Sequence, residues 1–258
     1  MGSASREALA QARTALRDGL ATTVGVELLE VAGVIAQNPA LASALGDSSA
    51  AAEAKSSVVS RLFGALSVDA RAVLTAVVAG RWSNSVELVA GIEELGLRAE
   101  GSKNPGLSDE LLAIADVVAR NHDLQLTLGS KLVAADGKVS LLASLLTGKV
   151  SDSALAIARQ LVSHPRGRRF EAALREAARI TADQIGCELA TVTVAAPISA
   201  AQQARLATAL ERTAGRTVKI TTVIDPAVIG GIRVQMADDV IDGSIRSRLD
   251  DLRTQLAA

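Results

Sequence analysis

One stretch of this chain occurs twice, and that repetition limits the possible folds more than any other feature. ELLEVAGVIAQNPALASALG at residues 27–46 aligns without a gap on ELLAIADVVARNHDLQLTLG at residues 110–129, with about half the positions identical. The register continues through Lys55 with Lys138, Ser57 with Ser140 and Leu62 with Leu145, and after one inserted residue through Ser67 with Ser151 and Ala70 with Ala154. A match that keeps polar residues in register over this length reads as an internal duplication, so whatever one copy folds into, the other should repeat. The spacing of the apolar residues is helical, which predicts two similar helical bundles in tandem. Aromatic residues make up only 1% of the chain while alanine is abundant, so these cores should form from small side chains on closely approaching helices.

Along the chain, Leu9, Leu16 and Leu20 recur at helical spacing and predict an amphipathic helix over residues 4–21. A second helix is expected at 26–37, ended by Asn38-Pro39 because the residue before proline is driven from the α region. After a short helical stretch to Leu45, Ser48 or Ser49 is the expected N-cap of a helix carrying Lys55, Val58, Val59 and Leu62. Ser67 opens another helix that reaches Gly80, and Ser83 opens one with Val86, Val89, Ile92 and Leu95 on its apolar face. GSKNPG at residues 101–106 has the composition of a linker. The first copy's opening helix has no clean counterpart after that linker; either the second bundle lacks it or the helix from Ser83 stands in. A last helix at 168–186, with Phe170, Leu174, Ala178 and Ile185 inward, closes the second copy.

From Leu189 the period changes to alternation: Leu189, Thr191 and Thr193 against Ala190, Val192 and Val194 is a strand pattern ended by Pro197. Ser199 is the expected cap of a helix through Leu206 and Leu210, closed at Gly215. Residues 217–224 and 232–236 alternate again. The fold class expected is therefore mainly α with a small α+β domain: a bundle at 1–104, a second copy at 105–187, and a βαββα domain at 188–258.

Catalytic motifs are missing from this pattern. His122 and His164 lie apart and read as solvated or helix-end residues, and no Cys, His, Asp or Glu set has metal-ligand spacing. Neither a phosphate loop nor a nucleophile elbow occurs, and Gly230-Gly231 does not open a helix as a dinucleotide fingerprint would. Asp238, Asp239 and Asp242 are explained by turn formation and N-capping before acid–base chemistry is needed. Cys187, the single cysteine, reads as a small buried hydrophobe and cannot form an internal disulfide. Charges nearly cancel, at a formal −1, with no basic block of the kind a nucleic-acid surface requires. The longest apolar run, AVLTAVVAG, falls far short of the roughly 20 residues that span a bilayer, and the N-terminus lacks a signal-like apolar core, so the chain is expected to be soluble without direct membrane insertion. No catalytic residue, cofactor or metal is expected.

The most specific local string is GGIRVQMADDVIDGSIRSRL near the C-terminus. Together with Ser199, Asp225-Pro226 and Ile229-Gly230-Gly231, it resembles the C-terminal part of the delta subunit of rotary ATP synthases, the bacterial counterpart of the oligomycin-sensitivity-conferring protein. The helical repeats are similar to that family's N-terminal bundle. The departure is one bundle too many, which looks like the actinobacterial form in which this region can be fused behind a b-type stalk helix. The resemblance implies a non-enzymatic stator protein at the cytoplasmic face of the cell membrane, joining the alpha/beta head to the peripheral stalk. It implies as partners an alpha-subunit N-terminal helix, held in a groove of a bundle, and a b-type stalk helix, met by the C-terminal domain. The alternative is a helical adaptor or regulator unrelated to the synthase.

Local physics assigns the motif residues structural roles. Gly230 and Gly231 permit a turn or bulge with positive φ, and Asp239, Asp242, Gly243 and Ser244 form the acidic turn in which Asp242 or Ser244 caps a last helix. On that helix Ile245, Leu249, Leu252 and Leu256 follow a 4-3-4 spacing, a narrow apolar seam suited to a partner helix or to packing on the domain's own sheet.

Overall fold

In a computed structural model, residues 1–17, 19–225, 231–236 and 239–242 are described. The chain divides into two compact units, Met1–Thr181 and Ala182–Ala258.

The first unit is helical. Its elements are α1 (Ser3–Arg13), α2 (Val24–Gln37), α3 (Pro39–Gly46), α4 (Ala52–Leu62), α5 (Val68–Ala79), α6 (Ser85–Lys103), α7 (Leu107–Ala119), α8 (His122–Gly129), α9 (Ala135–Leu146) and α10 (Asp152–Ser163), followed by α11 (Phe170–Gln184). α2, α3 and α4 recur as α7, α8 and α9 with starts 83 residues later, and α5 recurs as α10 with its start 84 residues later. Capping recurs with them. Ser67 caps α5 by accepting from the Ala70 N–H and donates its hydroxyl to Glu27 at 2.6 Å; Ser151 caps α10 by accepting from the Ala154 N–H and donates to Glu110 at 2.5 Å. Each pair ties the start of one helix to the first turn of another, fixing their relative position with two partly buried hydrogen bonds from the serine N–H and hydroxyl.

Four expected boundaries differ. α1 stops at Arg13 instead of Ala21: Gly19 takes φ 83, and Leu16 and Leu20 reach the first core from an irregular segment. Helical spacing of leucines there reflects burial of the segment without helix geometry. The N-cap of α4 is Ala51, while Ser49 turns back to hydrogen-bond Asp47 at 2.7 Å. α6 begins after Asn84, whose side chain accepts from the Glu87 N–H, so Ser83 precedes the cap and Val86 faces outward. The apparent linker at 101–106 is mostly helix, because α6 runs on to Lys103. Gly101 serves close packing there: a Cβ on it would lie 2.9 Å from the Thr181 backbone of α11.

The course of α6 bears on the two alternatives left for the missing helix. Leu95, Gly96, Leu97, Arg98, Ala99, Glu100 and Gly101 are all buried, so every face of that stretch is covered. Gly96 meets α2 at Leu29 and Gly25, and Gly101 meets α11. Glu100, 1% exposed, lies against Gly25 of α2, accepts from Ser153 of α10 and pairs with Lys103 at 2.5 Å. α2 also meets α10 directly, where Gln160 donates to the Leu29 carbonyl at 2.6 Å and His164 is 2.9 Å from the Gln37 amide. One long helix thus stands between both halves of the unit.

The second unit holds β1 (Cys187–Val194), α12 (Ala200–Ala214), β2 (Thr217–Ile224), β3 (Ile232–Met236) and β4 (Asp239–Asp242). The sheet order is β2-β1-β3-β4, with β1 and β2 parallel and the other pairs antiparallel. The parallel pair requires a crossover, which α12 supplies. Ala190, Val192, Val194, Val218 and Val234 form the core with Leu206 and Leu210 of α12. α12 is framed as its sequence specifies: Ser199 and Gln202 form a reciprocal capping box, and Gly215 ends the helix at φ 69. The acidic segment differs from expectation. Asp239–Asp242 pairs with β3 as a fourth strand, Met236 opposite Asp239 and Arg233 opposite Asp242, where a turn and cap were predicted. The β-branched Val240 and Ile241 between the aspartates favour that extended state.

Candidate interaction surfaces

Of the motif residues named from the sequence, Gly231, Asp239 and Asp242 lie within the described residues. Gly231 has φ 82, in the left-handed region that a Cβ makes costly, immediately before β3. Asp239 and Asp242 end β4. Gly230, Gly243 and Ser244, and the seam Ile245, Leu249, Leu252 and Leu256, lie outside the described residues, as do Asp238 and the helix expected there.

The helical unit carries two apolar grooves that single-residue reading missed. One, of about 490 Å³, is lined by Val34 and Asn38 at the end of α2, by Pro39, Ala40 and Leu41 of α3, and by Leu62 and Phe63 after α4. The other, of about 560 Å³, is formed by α7, α8 and α9 and includes Val117, Asn121, Asp123, Leu124, Leu145 and Leu146. The lining residues correspond at a constant offset of 83 residues: Val34 answers to Val117, Leu41 to Leu124, Leu62 to Leu145 and Phe63 to Leu146. Val34, Leu62, Val117 and Leu145 are all exposed, an expensive arrangement for four aliphatic side chains in water. The signal available in the sequence was their persistence as apolar residues in both copies at positions outside the inward-facing stripe. Grooves of this size and lining suit the apolar face of an amphipathic helix.

Titratable groups in this unit are arranged for structure. Glu93 of α6 is 4% exposed and accepts from Arg168 at 2.8 Å and from Arg166. Burial pulls the Arg166 guanidinium below its usual value, and Glu93 offsets only part of that shift. Arg166 holds a positive φ of 47 to make this contact, followed by Gly167 at φ 76. Arg175 of α11 pairs with Asp116 at 2.7 Å and Glu171 at 3.1 Å, and its pKa rises because the two carboxylates outweigh a considerable burial cost. His122 is the first residue of α8 and His164 the C-cap of α10. Among the described residues no group of three or more His, Cys, Asp or Glu is placed to hold a metal ion. No described helix is long and apolar enough by itself to cross a membrane; α2 and α3 reach that length and apolarity only together, as a pair bent by 108°, and the inward face of α2 lies in the hydrophobic core with Leu74 and Ile92.

Comparison with known proteins gives this arrangement a family. A model of the family described as ATP synthase delta (OSCP) subunit matches residues 95–256, beginning inside α6. The ATP synthase subunit delta of Leifsonia xyli is 43% identical over 264 residues, covering 100% of both chains. That of Streptomyces avermitilis is 35% identical, covering 99% of this chain and 98% of its own. A chain in a cryo-EM structure of the Toxoplasma gondii mitochondrial ATP synthase hexamer aligns with 63% of this chain and 97% of its own, at 22% identity and a TM-score of 0.39. The family model accounts for more than half the chain and the actinobacterial relatives for essentially all of it: the chain belongs to the ATP synthase delta (OSCP) subunit family.

Proposed function

We propose that this chain is a non-catalytic stator subunit of the rotary ATP synthase, connecting the alpha/beta catalytic head to the peripheral stalk so that the head does not turn with the rotor. The observation that carries the reading is the end-to-end match to ATP synthase delta subunits. What such a part must supply is rigidity between two attachment points. Helices interlocked through Gly25, Glu100 and Ser153 resist relative sliding, because interiors packed at this density transmit strain instead of absorbing it.

The helical unit is read as two copies of one bundle, 1–104 and 105–187, that share α6; the matching helix starts and the twin Ser–Glu caps support this. In this reading the domain at 188–258 carries the stalk contact on the seam Ile245, Leu249, Leu252 and Leu256, and Gly230, Gly231, Asp239, Asp242, Gly243 and Ser244 keep that domain's shape. An N-terminal helix of an alpha subunit is taken by an apolar groove of the helical unit. The protein then works at the cytoplasmic face of the membrane, held there by its partners.

The test uses the purified chain with two peptides, an alpha-subunit N-terminal segment and a b-type stalk C-terminal segment. Both should bind, and failure of both to bind would remove the stator reading. Val34→Lys with Leu62→Lys, and separately Val117→Lys with Leu145→Lys, place charges in one groove at a time. A loss of alpha-peptide affinity of about tenfold or more is expected from the pair that blocks the working groove, and no loss from either pair would exclude the grooves as the seat.

A further inference from the structure

The two copies differ where α11 begins. In the first copy the turn after α3 is closed, because a Cβ on Gly46 would lie 3.1 Å from the Ser85 backbone at the start of α6. In the second, the equivalent Gly129 has nothing within 4 Å of that position. The space left open is a cavity of about 410 Å³, floored by Val118, Leu128, Leu161 and Phe170 and walled by Lys131, Lys138, Arg168 and Arg169.

Three of the four charges in the wall are specific to this copy. Where Lys131 stands the first copy has Ser48, and the residues at the start of α6 that correspond to Arg168 and Arg169 fall within Ser83–Ser85, which carry no charge. Lys55 and Lys138 are equivalent and both buried, at 4% and 8% exposure, and Lys55 has an acidic neighbour. That neighbour is Asp47, whose carboxyl is held below the usual range by hydrogen bonds from Ser49 and by the charge of Lys55. The residue equivalent to Asp47 is Ser130, so the counter-charge is gone.

Little inside the protein replaces it. The one carboxylate lining the cavity, Glu171, is engaged by Arg175 at 3.1 Å. Arg168 pairs with Glu93 but leaves its buried Nε without a hydrogen-bond partner. Among the described residues no ion pair or side-chain hydrogen bond involves Lys131, Lys138 or Arg169. A buried ammonium without a partner is costly, and three uncompensated cations around one opening set up a field for a multiply charged anion.

We propose that the cavity between α8, α9 and the start of α11 binds a phosphate oxyanion, either free or carried by a nucleotide, with Lys138 beneath it and Lys131 and Arg169 at its rim. A phosphate monoester carries about −1.5 to −2 at neutral pH and presents three acceptor oxygens, and free phosphate presents four, which matches the charge and the donors available. The apolar floor excludes water from one side and strengthens the pairing.

The test is calorimetric titration of the full-length chain with inorganic phosphate, pyrophosphate and ATP at matched ionic strength, in the absence of alpha and stalk peptides, so that its outcome is independent of the stator reading. Saturable pyrophosphate binding that weakens with added salt is expected. Lys131→Gln combined with Arg169→Gln, both on the rim, should raise the Kd about tenfold or more while leaving the helical circular dichroism and Tm of the unliganded protein unchanged. Lys138→Met should also abolish binding, and Lys55→Met should leave it intact, which controls for general loss of charge. Tighter binding of ATP than of pyrophosphate assigns the oxyanion to a nucleotide, and the reverse order assigns it to a free oxyanion. Absence of saturation by all three at about ten millimolar, binding indifferent to the rim substitutions, or binding of a hexaglutamate peptide with none of phosphate would overturn the proposal.

Discussion

Single residues in this chain decide packing where their sequence context suggests something else. Gly101 sits in a segment composed like a linker, yet its missing side chain lets α6 approach the Thr181 backbone. Gly101→Val should therefore behave as an overpacking substitution and lower stability by about 1–3 kcal/mol, read from a urea midpoint. A stability unchanged from wild type would mean that the helices separate there without cost. Glu93 shows the same dependence on neighbours: Glu93→Gln strands Arg166 and Arg168 as partly buried cations and should cost about 3 kcal/mol in the same measurement. Glu87 gives α1 a local pH dependence. Hydrogen bonding with Ser5 and with the Gly2 N–H holds its carboxyl below the ordinary 4.5. A depressed carboxylate contributes stability that is complete above 4.5 and is lost as pH falls through the lower folded value. Acid titration followed by amide exchange in α1 should show protection fading below that pH, and Glu87→Gln should flatten the response.

At the level of elements, the twin caps give a prediction that uses the repeat. Ser67→Ala and Ser151→Ala each remove an N-cap and a hydrogen bond to a carboxylate, and each should cost about 1–2 kcal/mol, similar in the two copies. Unequal costs, seen by chemical denaturation, would show that the copies have diverged in how they use the cap. In the second unit, Gly231→Val forces a β-branched residue into φ 82 and should loosen the sheet by about 1–3 kcal/mol. Limited proteolysis should then cut the C-terminal unit sooner while the helical unit stays resistant. Helix and strand positions here were largely legible beforehand. Thr217–Ile224 and Ile232–Met236 alternate cleanly, and Ser199 with Gly215 brackets α12 by local chemistry alone. Asp239–Asp242 was not legible, since aspartates are typical of turns and only the pairing partner Arg233–Met236 makes the segment a strand.

For the whole molecule, interlocking through α6 predicts that the helical unit unfolds as one cooperative body despite its repeated sequence. Trp82, buried in the first core and the only tryptophan, reports on that half, whereas helical circular dichroism reports on both. The two urea transitions should coincide over the helical signal, and a separate later or earlier loss of about half the helicity would show independent bundles. The helical class, the change of period near Leu189 and the family resemblance were all determined by sequence, because each rests on spacing and residue type along a continuous stretch. Only the tertiary structure decided that one helix lies between both halves, that two apolar grooves face outward at equivalent positions, and that a ring of cations opens beside Gly129 in one copy while Gly46 is closed in the other. Those features depend on which residues far apart in the chain approach within a few ångströms, and periodicity along a strand or helix carries no information about that.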